Sequence, residues 1–85
     1  MNRIRCCVPF CRHTRGNRKG DPLRPGMEWI CAEHWRAVPS RLKTVRTRLR
    51  RRLKRQGYMT EVMRGIEHRS WELCKRAAIE TAGGL

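Results

Sequence analysis

The stretch Cys31-Ala32-Glu33-His34-Trp35-Arg36-Ala37-Val38-Pro39-Ser40 joins a pair of metal-ligand residue types to a helix-start signal. A Cys-x2-His pair on one helical turn can close one side of a tetrahedral metal site. Pro39-Ser40 then opens a second element, because Pro tolerates the helix start and Ser40 can cap it. Toward the N-terminus, Cys6-Cys7-Val8-Pro9-Phe10-Cys11 supplies more thiols, with 19 residues between Cys11 and Cys31. Two close pairs of thiolate and imidazole donors, separated by a polar loop, suit structural Zn2+. The ligands read as Cys6, Cys11, Cys31 and His34. Cys7 is the alternative to Cys6, since Cys-x4-Cys and Cys-x3-Cys both reach one ion.

The other candidates have blander readings. His13, two residues after Cys11, would strain a shared tetrahedron and reads as a solvated loop residue. Cys74 stands alone in a helical stretch and reads as a small buried hydrophobe. The competing reading of the cluster itself is a set of buried thiols beside a surface histidine.

A chain of 85 residues with 6% aromatic content needs such a staple. Domains this small bury only about 60% of their unfolded surface, and a metal's binding free energy becomes folding free energy. Pro9, Gly16, Gly20, Pro22, Pro25 and Gly26 break regular structure, so Thr14 to Gly26 reads as a loop or short hairpin. Met27-Glu28-Trp29-Ile30 reads as a short strand leading into Cys31. No apolar run is long enough for a membrane span, no secretory apolar stretch follows the first residues, and five cysteines are an odd number for a disulfide framework. A reducing, cytoplasmic setting is the expectation.

From Ser40 the spacing of Leu42, Val45, Leu49 and Leu53 predicts a helix stopped by Gly57. Thr60 is a second cap. The helix after it presents Met63, Ile66, Ser70, Leu73 and Ala77 on one face, flanked by Trp71, Cys74 and Ala78. The fold class is therefore small and mostly α: a zinc knuckle with little β over residues 1–39, then an antiparallel helix pair over 40–85, packed as one unit.

Charge carries the functional argument. The formal net charge is +14, from 21 basic and 7 acidic residues, and all the basic ones except Lys19, Lys43, Lys54 and Lys75 are arginine. Arg41, Lys43, Arg46, Arg48, Arg50, Arg51, Arg52, Lys54 and Arg55 crowd the first long helix, with no acidic residue between Glu33 and Glu61. Its like-charged i,i+4 pairs repel by about 0.2–0.5 kcal/mol each, a cost that a polyanion removes. Arginine forks match phosphate geometry, so nucleic acid is the expected ligand, DNA ahead of RNA. Few uncharged polar side chains (Thr44, Thr47, Gln56) accompany them, which favours phosphate contact over base readout. The alternative is a basic face that docks on an acidic protein. Trp29, Trp35 and Trp71 read as packing residues around the zinc module, and Tyr58 as an aromatic beside the basic helix. The second helix is electrically balanced, and surplus apolar area on Val62, Ile79 or Leu85 would suit a homodimer.

A catalytic role is not expected. Four protein ligands leave the metal no open position, and the two-histidine helix spacing of zinc proteases is absent.

The Cys-x-Val-Pro-x-Cys opening at 6–11 and the Cys-Ala-Glu-His-Trp string at 31–35 resemble the ligand pairs of THAP-type DNA-binding zinc fingers. That resemblance covers the two pairs only, because the THAP insert is longer than 19 residues and its later proline-containing signature is not found here. A treble-clef-like knuckle is an alternative geometry for the same ligands. The whole chain also resembles the small basic zinc-finger proteins of phage and prophage genomes. This implies an accessory or regulatory role in the host cytoplasm, or a place in the virion.

Overall fold

The computed structural model describes residues 3–83. Strand β1 (Ile4–Arg5) pairs antiparallel with β2 (Thr14–Arg15), with Ile4 opposite Arg15 and Arg5 opposite Thr14. The first ligand pair lies in the connection between them. The expected strand at Met27–Ile30 does not form. Those residues run extended beside the knuckle, where the Cys7 N–H donates to the Trp29 carbonyl at 2.8 Å, but no second partner completes a ladder.

The loop after β2 is tied by charge. Arg15 is buried at 4% exposure, and its guanidinium donates to the Asp21 carboxylate at 3.1 Å and to the Asp21 and Gly16 carbonyls. Arg18 and Asp21 exchange backbone hydrogen bonds around Gly20, whose φ of 80° lies in the left-handed region that favours glycine.

Helix α1 (Ala32–Arg36) begins at Cys31 and carries His34 on its first turn. Helix α2 (Ser40–Gln56) starts one position earlier than the capping role given to Ser40: Pro39 is the N-cap and no side chain caps the helix. Gly57 ends it in the left-handed conformation, φ 79°, with its N–H on the Leu53 carbonyl. Helix α3 (Glu61–Ala82) is capped by Thr60, whose Oγ1 accepts the Met63 N–H at 3.1 Å. The two long helices pack against each other as an antiparallel pair.

The core is thin and shared. Cys6, Val8, Ile30, Cys31 and Val38 meet Cys74 and Ala78 of α3, with Trp29, Trp35, Leu42, Trp71 and Ile79 packed around them. Cys74, with no exposed surface, is the largest side chain fully removed from water, as a small hydrophobe rather than a ligand. The Cα radius of gyration is 13.7 Å, against about 12 Å for an average chain of this length.

Two apolar assignments shift. Helix α3 turns its flank inward: Cys74 and Ala78 are buried together with Ser70 of the expected face, while Ile66 and Leu73 of that face are 52% and 45% exposed. The N-terminal knuckle packs on the Trp71–Cys74–Ala78 side, and a helix covered from two directions shows each neighbour only part of its stripe. On α2, Val45 is exposed while Leu42, Leu49 and Leu53 are half-buried. Ile79 packs on the core instead of offering free area, Val62 is exposed, and Leu85 lies outside the described residues.

Candidate metal centre and arginine-rich face

Cys6, Cys11, Cys31 and His34 place their ligand atoms within 4.8 Å of one another. The sulfurs of Cys11 and Cys31 are 3.8 Å apart, and the Nδ1 of His34 lies 3.1 Å from the Cys31 sulfur and 3.8 Å from that of Cys6. Tetrahedral zinc with Zn–S bonds of about 2.3 Å separates its sulfurs by about 3.8 Å, so the donor set and its spacing fit that ion. All five cysteines are free thiols.

Local structure explains the convergence. Between the first two ligands the chain reverses at Pro9-Phe10, where the Cys11 N–H donates to the Val8 carbonyl at 3.1 Å. Phe10 takes the left-handed conformation, φ 66°, and its side chain is 102% exposed. That backbone costs a non-glycine residue on the order of 1 kcal/mol, and closure of the knuckle holds it in place. On the other side, the Cys31 N–H donates to the Cys6 sulfur at 3.3 Å, and α1 lifts His34 over the same point.

Burial opposes charge at Cys6, but hydrogen bonds from the backbone of Cys31 and Val8 and from the Cys31 and Cys11 thiols outweigh it and hold the group below its ordinary value. Cys11 is pushed up, by desolvation first and then by its neighbouring thiols. A divalent cation bound at this point would favour the thiolate form of all three cysteines.

Cys7 turns away from this centre. Its sulfur faces Glu28 Oε2 at 3.7 Å, and burial raises its thiol pKa. His13 is exposed and outside the four-residue group, although its Nδ1 approaches the Cys11 sulfur at 3.4 Å and Glu33 at 3.8 Å.

The basic residues of α2 divide into two sets. Arg46 is drawn inward to Glu67 Oε1 at 2.9 Å and to the Ser70 hydroxyl at 3.0 Å, and its guanidinium lies 5.1 Å from the centre of the Trp71 ring. Lys43 turns back to the Trp35 carbonyl at 3.4 Å, so it too serves the fold. Arg41, Arg48, Arg50, Arg51, Arg52, Lys54 and Arg55 are exposed and pair with no carboxylate among the described residues. Arg48, Arg51, Arg52, Lys54 and Arg55 lie close together on the exposed surface of the helix.

The module is braced to α3 by Glu28. Its carboxylate accepts from the Trp71 indole N–H at 3.0 Å and from Lys75 Nζ at 3.0 Å, and Lys75 foremost holds the Glu28 carboxyl below the usual carboxylate range. No signal in the sequence marks this contact, which joins positions 28, 71 and 75 across the fold.

No protein-family model, curated protein or solved structure matches the chain. The likeness to THAP-type fingers and to phage zinc-finger proteins therefore stays a likeness of ligand pairs and of charge. The described helices include none long and apolar enough to cross a membrane.

Proposed function

We propose that this protein is a zinc-stabilised nucleic-acid-binding protein, most simply a DNA binder, in which Cys6, Cys11, Cys31 and His34 hold a structural Zn2+ and α2 holds phosphate. The observation that carries the reading is the row of exposed, unpaired cations at Arg48, Arg50, Arg51, Arg52, Lys54 and Arg55 on a helix docked to the rest of the fold. A face meant only for solubility would be interspersed with carboxylates, as α3 is with Glu72, Lys75, Arg76 and Glu80. Binding rather than catalysis is the role, because the four ligands complete a tetrahedron. An accessory or regulatory factor of a phage is the biological setting that the chain's likeness suggests.

A titration into duplex DNA, single-stranded DNA and duplex RNA at several salt concentrations, with and without a chelator, tests the reading. Six phosphate contacts on duplex DNA give a log–log salt slope of about −5. Alanine at Arg48, Arg50, Arg51 and Arg52 should make that slope shallower by about 3 to 4 while zinc stoichiometry is kept. Weak binding to all three ligands, indifferent to the chelator, would defeat the proposal.

A second reading has its own observation. Val62, Ile66 and Leu73 are exposed on α3, as a protein-facing surface requires, and the basic face could then meet an acidic protein. A stoichiometric partner retained after nuclease treatment favours this reading, and its loss favours the first.

A further inference from the structure

Between the loop that follows β2, the Met27–Ile30 segment and the two long helices lies an open cleft of about 750 Å³. Three tryptophans, Trp29, Trp35 and Trp71, and three exposed arginines, Arg18, Arg24 and Arg50, line it. Each carboxylate on its walls is already engaged: Asp21 by Arg15, Glu67 by Arg46, and Glu28 by Lys75 and Trp71. Arg18, Arg24 and Arg50 have no side-chain partner among the described residues, and neither do the indole N–H groups of Trp29 and Trp35. Arg46 lies over the Trp71 ring and braces that wall, which leaves Trp29 and Trp35, both only partly buried, as the aromatic surfaces within reach of a ligand.

Flat π-surfaces beside unpaired guanidinium groups recognise a ligand that is aromatic at one end and anionic at the other. In nucleic acid that ligand is an unpaired nucleotide, because a paired base keeps its faces inside the stack. We propose that the cleft takes one unpaired nucleotide of a strand end or gap, its base against Trp29 and Trp35 and its phosphates on Arg18, Arg24 and Arg50. Arg50 belongs to α2, so a strand leaving the cleft passes directly onto the arginine-rich helix. The inference rests on the nucleic-acid reading above and narrows its ligand to a junction between paired and unpaired strand.

The test compares three DNA ligands on the zinc-loaded protein at fixed salt: a blunt duplex, the same duplex with a short thymidine overhang, and one with an abasic overhang carrying the same phosphates. The thymidine overhang should bind about tenfold more tightly than the abasic one and quench tryptophan fluorescence, the effect of one stacked base. Trp29→Leu should erase that difference without changing affinity for blunt duplex. Arg18→Ser with Arg24→Ser, in an exposed loop, provides a check that does not depend on a tryptophan that also packs, and should weaken both overhang ligands while sparing the blunt one. Equal affinity for thymidine and abasic overhangs, with blunt-duplex binding intact, overturns the cleft and leaves the wider reading standing. Failure to bind any of the three overturns both.

Discussion

The two halves of the molecule reach order by different routes. Residues 3–39 hold almost no regular structure, two strands of two residues and a five-residue helix, yet they contain five of the seven buried apolar residues among those described. The 17- and 22-residue helices have ample regular structure, but only Ser70, Cys74 and Ala78 are buried along them. One half has a centre without a framework and the other a framework without a centre. Each is incomplete alone: the knuckle needs α3 as a wall, and the like-charged α2 needs a partner to hold it. The lesson is that the contacts of Glu28, and on the proposed reading a zinc ion at the Cys3His group, bear a share of stability that a larger core would otherwise supply.

On the proposed zinc reading, the strongest way to break this comparison is to withhold the ion. Structural zinc contributes about 10–16 kcal/mol of apparent binding energy in small modules, so a chelator, or Cys31→Ser, should unfold residues 3–39 and lower helicity in α2 and α3 as well. Circular dichroism and tryptophan emission report both halves at once. Helices that keep a cooperative melt without metal would show that the hairpin stands alone.

Next comes the brace. Glu28→Ala removes a carboxylate shared by Lys75 and Trp71, and should cost about 1 kcal/mol, a modest figure because the carboxylate is partly exposed and screened. The sign of its pH dependence follows from the folded-state shifts. The Glu28 pKa is lowered, so its contribution is complete above the unfolded carboxylate range near about 4.3 and disappears as pH falls through the lower folded value. Lys75 is raised, chiefly by Glu28, so its contribution holds below about 10.4 and disappears as pH rises through the higher folded value. The stability gap between wild type and variant should therefore be widest between these ranges and close at both ends. A gap that stays constant into acid would remove the ion pair from the account.

A similar but opposite effect is expected on α2. Alanine at Arg48, Arg50, Arg51 and Arg52 relieves like-charge pairs along the helix and should raise stability by about 1 kcal/mol while nucleic-acid affinity falls. If stability falls with affinity, the arginines are structural. The smallest effect is at Gly65, inside α3, where a Cβ would meet nothing within 4 Å. Gly65→Ala should stabilise by about 0.5–1 kcal/mol in denaturant titration, and nothing in the structure explains why glycine stands there.

These expectations also mark what could be read from the chain. The Cys3His spacing, the Thr60 cap, the Gly57 stop and the helix pair were legible because each depends on residues close in sequence or on a strict donor set. Choosing Cys6 over Cys7 required the knuckle's geometry, since either spacing reaches one ion and only the fold turns Cys7 toward Glu28. The face of α3 was misread at Ile66 and Leu73 because periodicity locates an apolar stripe but not the direction from which a second neighbour arrives. Burial of Arg15 and the left-handed Phe10 gave no signal at all, as both residue types ordinarily avoid those states. The tryptophans read as packing residues do pack on the core, but all three also line the cleft, a grouping of positions 29, 35 and 71 that only the tertiary fold creates.

The position of the four ligands along the chain has a consequence for synthesis. Cys6, Cys11, Cys31 and His34 all emerge from the ribosome before the arginine run of α2 does. On the zinc reading, the knuckle closes while the strongly charged segment is still in the exit tunnel, and the helices then emerge beside a surface already prepared for them. Ribosome-bound chains stalled once His34 has cleared the tunnel should protect their thiols from alkylation when zinc is supplied. Unprotected thiols would mean that closure waits for Cys74 and Ala78 to arrive.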